Sequence, residues 1–271
     1  MKIRLAVSAL ATVALAVSAQ AQTVDEIIAK NLEARGGIEK LRAIRSIVVT
    51  AQLASPEGSG PRTVFLLRPN LFREERTVGS AKTIYGFDGQ SAWVLNQKDN
   101  HEEVHPITGG DLENLREEAE NGIDSALVDY ASKGNHVRLD GTATVEGKLC
   151  YAVRITLRNG QAQTQYLDAK SFLEIHEEMA RTVNGNHVLV EQTLGDYREE
   201  GGILFAHSIV THLAGRPERS TLTIEKIELN PAVDEEIFHM PKPGASGNGA
   251  LQSSFFPPAL VRRKACAARS A

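Results

Sequence analysis

From residue 47 to residue 228 the chain is written almost entirely in short runs of period two, and this limits the fold more than any other feature. Ile47, Val49, Ala51 and Leu53 alternate with Val48, Thr50 and Gln52, and Tyr151, Val153, Ile155 and Leu157 alternate with Ala152, Arg154, Thr156 and Arg158. Further strand-like runs occupy 63–68, 71–78, 82–87, 91–96, 163–168, 172–182, 187–197, 203–213 and 221–228. Turn chemistry separates them: Pro69-Asn70, Gly79-Ser80, Asp88-Gly89, Asn159-Gly160 and Gly201-Gly202, with 55–61 read as a longer turn cluster. Asp-Gly and Asn-Gly supply the positive φ angles of tight hairpins. The expectation is a meander of roughly a dozen antiparallel strands, most with one buried and one solvated face.

Helical spacing occurs at two places. Thr23-Val24-Asp25-Glu26 forms a capping box ahead of Ile27, Ile28 and Leu32; Gly36-Gly37 ends that helix, and a short turn follows over 38–43. After Gly109-Gly110, with Asp111 as the expected N-cap, Leu112, Leu115, Ala119, Ile123, Ala126, Leu127 and Tyr130 recur at helical spacing. Gly122 divides or kinks that element, and Glu113, Glu117, Glu118 and Glu120 read as its solvated face. Two short helical regions cannot coat the apolar face of a flat sheet of this size. The sheet must therefore curl, and a curled sheet that its helices do not fill leaves a lined cavity.

The ends of the chain read differently. Lys2 and Arg4, the apolar run 5–17 and Ala19-Gln20-Ala21 compose a secretory signal peptide over 1–21, with cleavage after Ala21. The folded domain is expected over 22–241, closed by Asn230-Pro231 and a short turn that docks Phe238. Residues 242–271, rich in Gly, Ser, Pro and Ala, read as a disordered tail. The net charge of −4 argues against nucleic acid as a partner. At 42% hydrophobic and 5% aromatic, the core is aliphatic. Cys150 sits in a strand pattern as a small buried hydrophobe, with a bridge to Cys266 as the alternative.

Sequence motifs for catalysis are few. There is no G-x-S-x-G elbow, P-loop or dinucleotide fingerprint, and Cys150 lacks the setting of a catalytic thiol. His101-Glu102-Glu103-Val104-His105 satisfies H-E-x-x-H, whose zinc chemistry needs both histidines on one face of a helix. Pro106 disfavours helix at His105, and Asp99-Asn100 are turn residues. On a strand, His101, Glu103 and His105 share a face and Glu102 points away. The reading is a non-enzyme with no metal and no cofactor.

Several segments resemble the periplasmic outer-membrane lipoprotein-sorting family, which has the LolA-like fold. The opening Glu26-Ile27-Ile28-Ala29-Lys30 with Gly36-Gly37 is similar to its first helix, and Phe87-Asp88-Gly89-Gln90-Ser91-Ala92-Trp93 to its D-G-x-x-x-W hairpin. Gly147-Lys148-Leu149-Cys150-Tyr151, Tyr166-Leu167-Asp168-Ala169, Asp196-Tyr197-Arg198 and Phe238-His239-Met240-Pro241 continue the resemblance in order. It implies a mainly β fold, an unclosed and strongly curled antiparallel β-barrel (a half-barrel) with a helical lid. It also implies a periplasmic carrier that binds lipid or lipoprotein acyl chains in the concave face and delivers them to the outer membrane. The partners implied are a lipid or acylated lipoprotein and a membrane-bound donor or acceptor protein. A periplasmic sensor or regulatory module on the same fold is the alternative, and a zinc hydrolase using His101, Glu102 and His105 is the third reading.

The residues nominated as ligand-binding are Phe65, Leu67, Trp93, Leu95, Leu112, Leu115, Ile123 and Leu127. They are chosen from alternation and helical spacing alone, which equally describe ordinary core.

Overall fold

The computed structural model describes residues 22–241 apart from Asn100 and Asn184. The expected leader over 1–21, the tail over 242–271 and Cys266 lie outside the described residues.

The chain opens with α1 (Val24–Ala34) and α2 (Ile38–Ala43). The capping box is formed: the Glu26 amide donates to Thr23 Oγ1 at 3.2 Å, and the Thr23 amide donates to Glu26 Oε2 at 2.9 Å. Two amides that the first helical turn leaves without partners are thereby satisfied. Gly36 closes α1 at φ +120°, and a Cβ there would lie 2.2 Å from the Gly202 carbonyl oxygen, so the position excludes any side chain on both counts.

Thirteen strands follow in one antiparallel sheet. The first six are β1 (Ser46–Ser55), β2 (Gly58–Leu67), β3 (Leu71–Val78), β4 (Ala81–Phe87), β5 (Ala92–Lys98) and β6 (His101–Ile107). After α3 (Gly109–Asn121) come β7 (His136–Val145), β8 (Lys148–Thr156), β9 (Ala162–Asp168), β10 (Glu174–Val183), β11 (Asn186–Glu200), β12 (Ile203–Leu213) and β13 (Arg219–Leu229). The order is β6-β5-β4-β3-β2-β1-β13-β12-β11-β10-β9-β8-β7. Two hairpin meanders thus join where β13 pairs with β1, and β6 and β7 are edges that do not pair with each other.

The curl follows from what α3 touches. It packs on β3 and β4 from one arm and on β10 from the other. β3 and β10 are six strand steps apart, which in a flat sheet is about 29 Å at ~4.8 Å per step. A helix is only about 10–12 Å across, so both arms reach it only because the sheet wraps around it. The result is an unclosed half-barrel with α3 across its concave side. α1 lies toward the β7–β9 end, where Ile27, Ile28 and Leu32 join Val153, Ile155, Leu157 and Leu167 in one core.

Three local expectations are corrected. The turn at 55–61 is shorter, because β2 already begins at Gly58 and only Pro56 and Glu57 lie between the strands. Gly60 packs against β3, where a Cβ would meet the Thr77 carbonyl oxygen at 2.0 Å. The β2–β3 ladder stops at Arg62–Arg76, beside Pro61, which has no N–H to extend it. Secondly, α3 starts at Gly109 with Thr108 as its N-cap, not at Asp111. Thirdly, α3 ends at Asn121, and residues 122–134 are irregular turns, with positive φ at Ser125 and Asp129 that a helix cannot contain. That segment is pinned by Asp124, which is 2% exposed and is paired with Arg68 and with Lys133 at 2.9 Å.

After β13 the chain makes a 3-10 turn, Glu235–Phe238, and buries Phe238 completely. The Phe238 carbonyl accepts from Trp93 Nε1 at 2.8 Å, and the Ile237 carbonyl accepts from Arg73 Nη1 at 2.7 Å. Cys150 is fully buried, and burial pushes its thiol pKa up.

Candidate functional site

A cavity of about 380 Å³ lies between the concave face and α3. That places it in the lower part of the range for small-molecule sites, about 300–1,000 Å³. The strand registers divide its wall. Leu194, Ile209, Leu222 and Leu53 stand opposite one another in turn across β11, β12, β13 and β1, forming an apolar row. Ile227, Val49 and Val64 form another across β13, β1 and β2. Leu66, Ile47 and Ile224 complete this aliphatic side.

The opposite side is polar. Glu117, Glu118 and Asn121 of α3 line the space together with Gln163, Gln165, Glu174, Glu177 and Arg181 of β9 and β10. Glu117 pairs with Arg181, both side chains under one-tenth exposed, and this pair ties the helix to β10. Asn114 adds a second tie, donating from Nδ2 to the Thr182 carbonyl at 2.6 Å. On the other arm Arg62 holds Glu74 at 2.7 Å.

Three carboxyls have no such ion pair among the described residues. Burial, then the nearby charge of Glu117, pushes the Glu118 pKa up to about 7 against the opposing pull of Arg62 and Arg181. Burial pushes Glu174 up to about 7, with Arg35 opposing. Burial, then the charges of Glu174 and Glu117, raises Glu177 well above the carboxylate range. Tyr197 at the same wall is raised, first by burial. These carboxyls are therefore poised to hold protons near neutrality.

Of the eight nominated residues, Ile123 lines the cavity. Leu115 and Leu127 are buried in the main core, with Leu112 packed against it, and none of the three reaches the open space. Phe65 and Leu67 lie on the opposite face of β2. Val64 and Leu66 face inward, because they stand opposite Val49 and Ile47 in the register with β1. Trp93 and Leu95 are buried away from the cavity in a separate cluster with Ile84 and Val104, while Val94 joins the main core. Glu117 and Glu118 are not solvated but face the cavity, whereas Glu113 and Glu120 pair with Arg116 and Arg158.

The H-E-x-x-H segment is β6, an edge strand. His101 and His105 both approach Glu103, at 3.0 and 3.4 Å. Glu102 points the other way and accepts from Gln97 Nε2 at 2.7 Å. The metalloprotease arrangement needs a helix, and this backbone does not provide one. Among the described residues no group of three or more His, Cys, Asp or Glu side chains is arranged to hold a metal ion.

No family model matches the chain, and no curated protein matches it. Solved structures do. A DUF1329 family protein from Desulfovibrio piger ATCC 29098 superposes with a TM-score of 0.52, at 12% identity, over 80% of this chain and 97% of its own. A LolA superfamily protein from Nitrosomonas europaea superposes with a TM-score of 0.50, at 14% identity, over 81% of this chain and 98% of its own. At such identities the likeness concerns the fold, and the fold of this chain is LolA-like.

Proposed function

We propose that this protein is a periplasmic carrier that holds a lipid, or the acyl chain of a lipoprotein, in the cavity under α3, and hands it on at the outer membrane by moving that helix. The observation that carries the reading is the aliphatic half of the cavity wall, built by Leu53, Val64, Leu66, Ile209, Leu222 and Ile227 on a sheet too curled to be filled by its helices. Ten fully buried methylenes contribute roughly 8 kcal/mol. That equals the standard free energy of micromolar binding, before the losses of ordering. Export through the 1–21 leader and receipt of cargo from a membrane-bound donor, or release to an acceptor, belong to the same reading.

Mass spectrometry of the purified protein is expected to find co-purified lipid, and a fluorescent fatty acid is expected to be displaced by unlabelled chains. Ile209→Trp, which fills the cavity, should weaken that binding by about tenfold or more, since it excludes several methylenes. Absence of both lipid and displacement removes the proposal.

A further inference from the structure

The aliphatic rows account for only half of the cavity. Beside them runs a second row in continuous register across five strands: Gln165 on β9 opposes Glu177 on β10, which opposes Gln192 on β11, then Thr211 on β12 and Ser220 on β13. All five line the cavity. Two residues further along β11, β12 and β13 stand Leu194, Ile209 and Leu222. A polar ladder and an apolar ladder therefore lie side by side on one concave face.

The polar ladder is incompletely satisfied. Gln165 Oε1 and Ser220 Oγ have no hydrogen-bond partner, nor do Gln163 Oε1 beside them and Glu174 Oε1 at the same wall. Gln163, Gln165 and Ser220 are only 3%, 4% and 8% exposed, so bulk water does not cover them. Buried polar groups are normally paired, and a cluster left unpaired calls for a partner. Arg62 Nε on the other arm is unpartnered too and is a donor, but at the polar row the unpaired atoms are two amide oxygens, a carboxyl oxygen and a hydroxyl, so a partner there must bring donors. The charges point the same way. Arg62 and Arg181 are paired with Glu74 and Glu117, while Arg76 and Arg35 donate to the neutral Tyr85 Oη and Asp124 carbonyl and keep their charges. Among the described residues Glu118, Glu174 and Glu177 have no ion pair, and the lining carries five carboxyls against four guanidiniums, one formal negative charge in excess.

Resting on the carrier reading above, we infer that the cavity selects its amphiphile by the head group. The polar row accepts a protonated primary amine, while the apolar row beside it holds the aliphatic chain. An ammonium supplies three donors and the missing positive charge. On binding, a carboxyl of the Glu174 and Glu177 pair gives its proton to solvent and becomes the counter-ion.

The test holds the chain constant and varies the head: decylamine, decanol and decanoate, titrated calorimetrically into the purified protein at neutral pH. Decylamine is expected to bind about tenfold or more tighter than decanoate, as charge-assisted hydrogen bonds of this kind allow. Its binding should release a proton, read from the dependence of the heat on buffer ionisation enthalpy. Glu177→Gln and Gln165→Leu should each weaken decylamine more than decanol and so bring the two together, with an unchanged circular dichroism spectrum showing that the variants fold. If the three ligands bind alike, or decanoate binds best, the head-group inference falls and the carrier reading stands. If none binds, both fall. Equal losses of decylamine and decanol in both variants also overturn the inference.

Discussion

Gly86→Ala tests how the convex side of the sheet is closed. Gly86 lies on β4 directly opposite Trp93 on β5, and its φ is outside the left-handed region, so its backbone suits alanine. The obstacle is contact. A Cβ there would lie 2.2 Å from Trp93 Cε2, 2.3 Å from Cζ2 and 2.5 Å from Nε1. Carbon atoms pack comfortably at about 3.5–4.0 Å, so more than an ångström must be found. The indole has little room to yield: it is 1% exposed, its Nε1 is held by the Phe238 carbonyl at 2.8 Å, and the Arg73 guanidinium lies 5.6 Å from its ring centre. Overpacking costs about 1–3 kcal/mol. Losing the buried indole hydrogen bond adds roughly 1–3 kcal/mol, and the stiffer alanine chain returns about 0.4–1 kcal/mol. The expected net loss is about 1–5 kcal/mol, a fall in Tm of roughly 2–20 °C for a domain of this size. Trp93 is the chain's single tryptophan, so its emission should shift red in the folded variant. In a Trp93→Leu background the same substitution should cost under about 1 kcal/mol, because the clashing ring is gone. Wild-type stability with unchanged emission in Gly86→Ala would show that the indole is not held as described.

Two further outcomes concern electrostatics and capping. Glu118 and Glu174 have pKa values of about 7 in the fold, against 4.5 in an unperturbed chain. The folded state therefore binds more protons between those values, and this stabilisation is complete below about pH 4.5 and lost as pH rises through about 7. Urea midpoints should fall between pH 5 and pH 8, a window above the range in which the lowered carboxyls Glu75, Asp129 and Asp168 titrate. Glu118→Gln should flatten that slope and be the more stable protein at pH 8; an unchanged slope contradicts the assignment. Thr23→Ala should cost about 1 kcal/mol in chemical denaturation by removing the acceptor for the Glu26 amide, and Thr23→Ser should restore it.

The fold was legible because its signals are local and repeated. Asp88-Gly89 and Asn159-Gly160 mark real turns, with φ of 93° and 85° at the glycines, and the capping box at Thr23 forms as spaced. The facing of side chains was legible only where polar and apolar residues alternate. In β1 they do, and Ile47, Val49 and Leu53 line the cavity. In 64–67 and 92–95 every residue is apolar, so parity cannot be read from composition. Register supplies it. Once the first turn is recognised as Pro56 and Glu57 alone, counting back from Ser55–Gly58 places Val64 opposite Val49 and Leu66 opposite Ile47. A turn read as 55–61 leaves that count unset. On β5 a second cluster covers the convex side, so both faces are buried and alternation carries no contrast there.

The acidic face of α3 was misread for a related reason, and its cost bears on what the cavity is for. Leu115 and Ala119 direct one stripe of the helix to the core, which makes the remaining stripe look solvent-facing. In a half-barrel that stripe has a wall opposite it. Glu118 accordingly sits where burial disfavours its charge, and Glu174 and Glu177 of the same cavity wall are in the same condition. As pH rises past neutrality these groups surrender stability, since the stabilisation of a raised carboxyl pKa is lost on ionisation. A continuous polar row that costs stability, with acceptor oxygens that the fold leaves unpaired, is accounted for by something the cavity receives and not by the packing of the sheet.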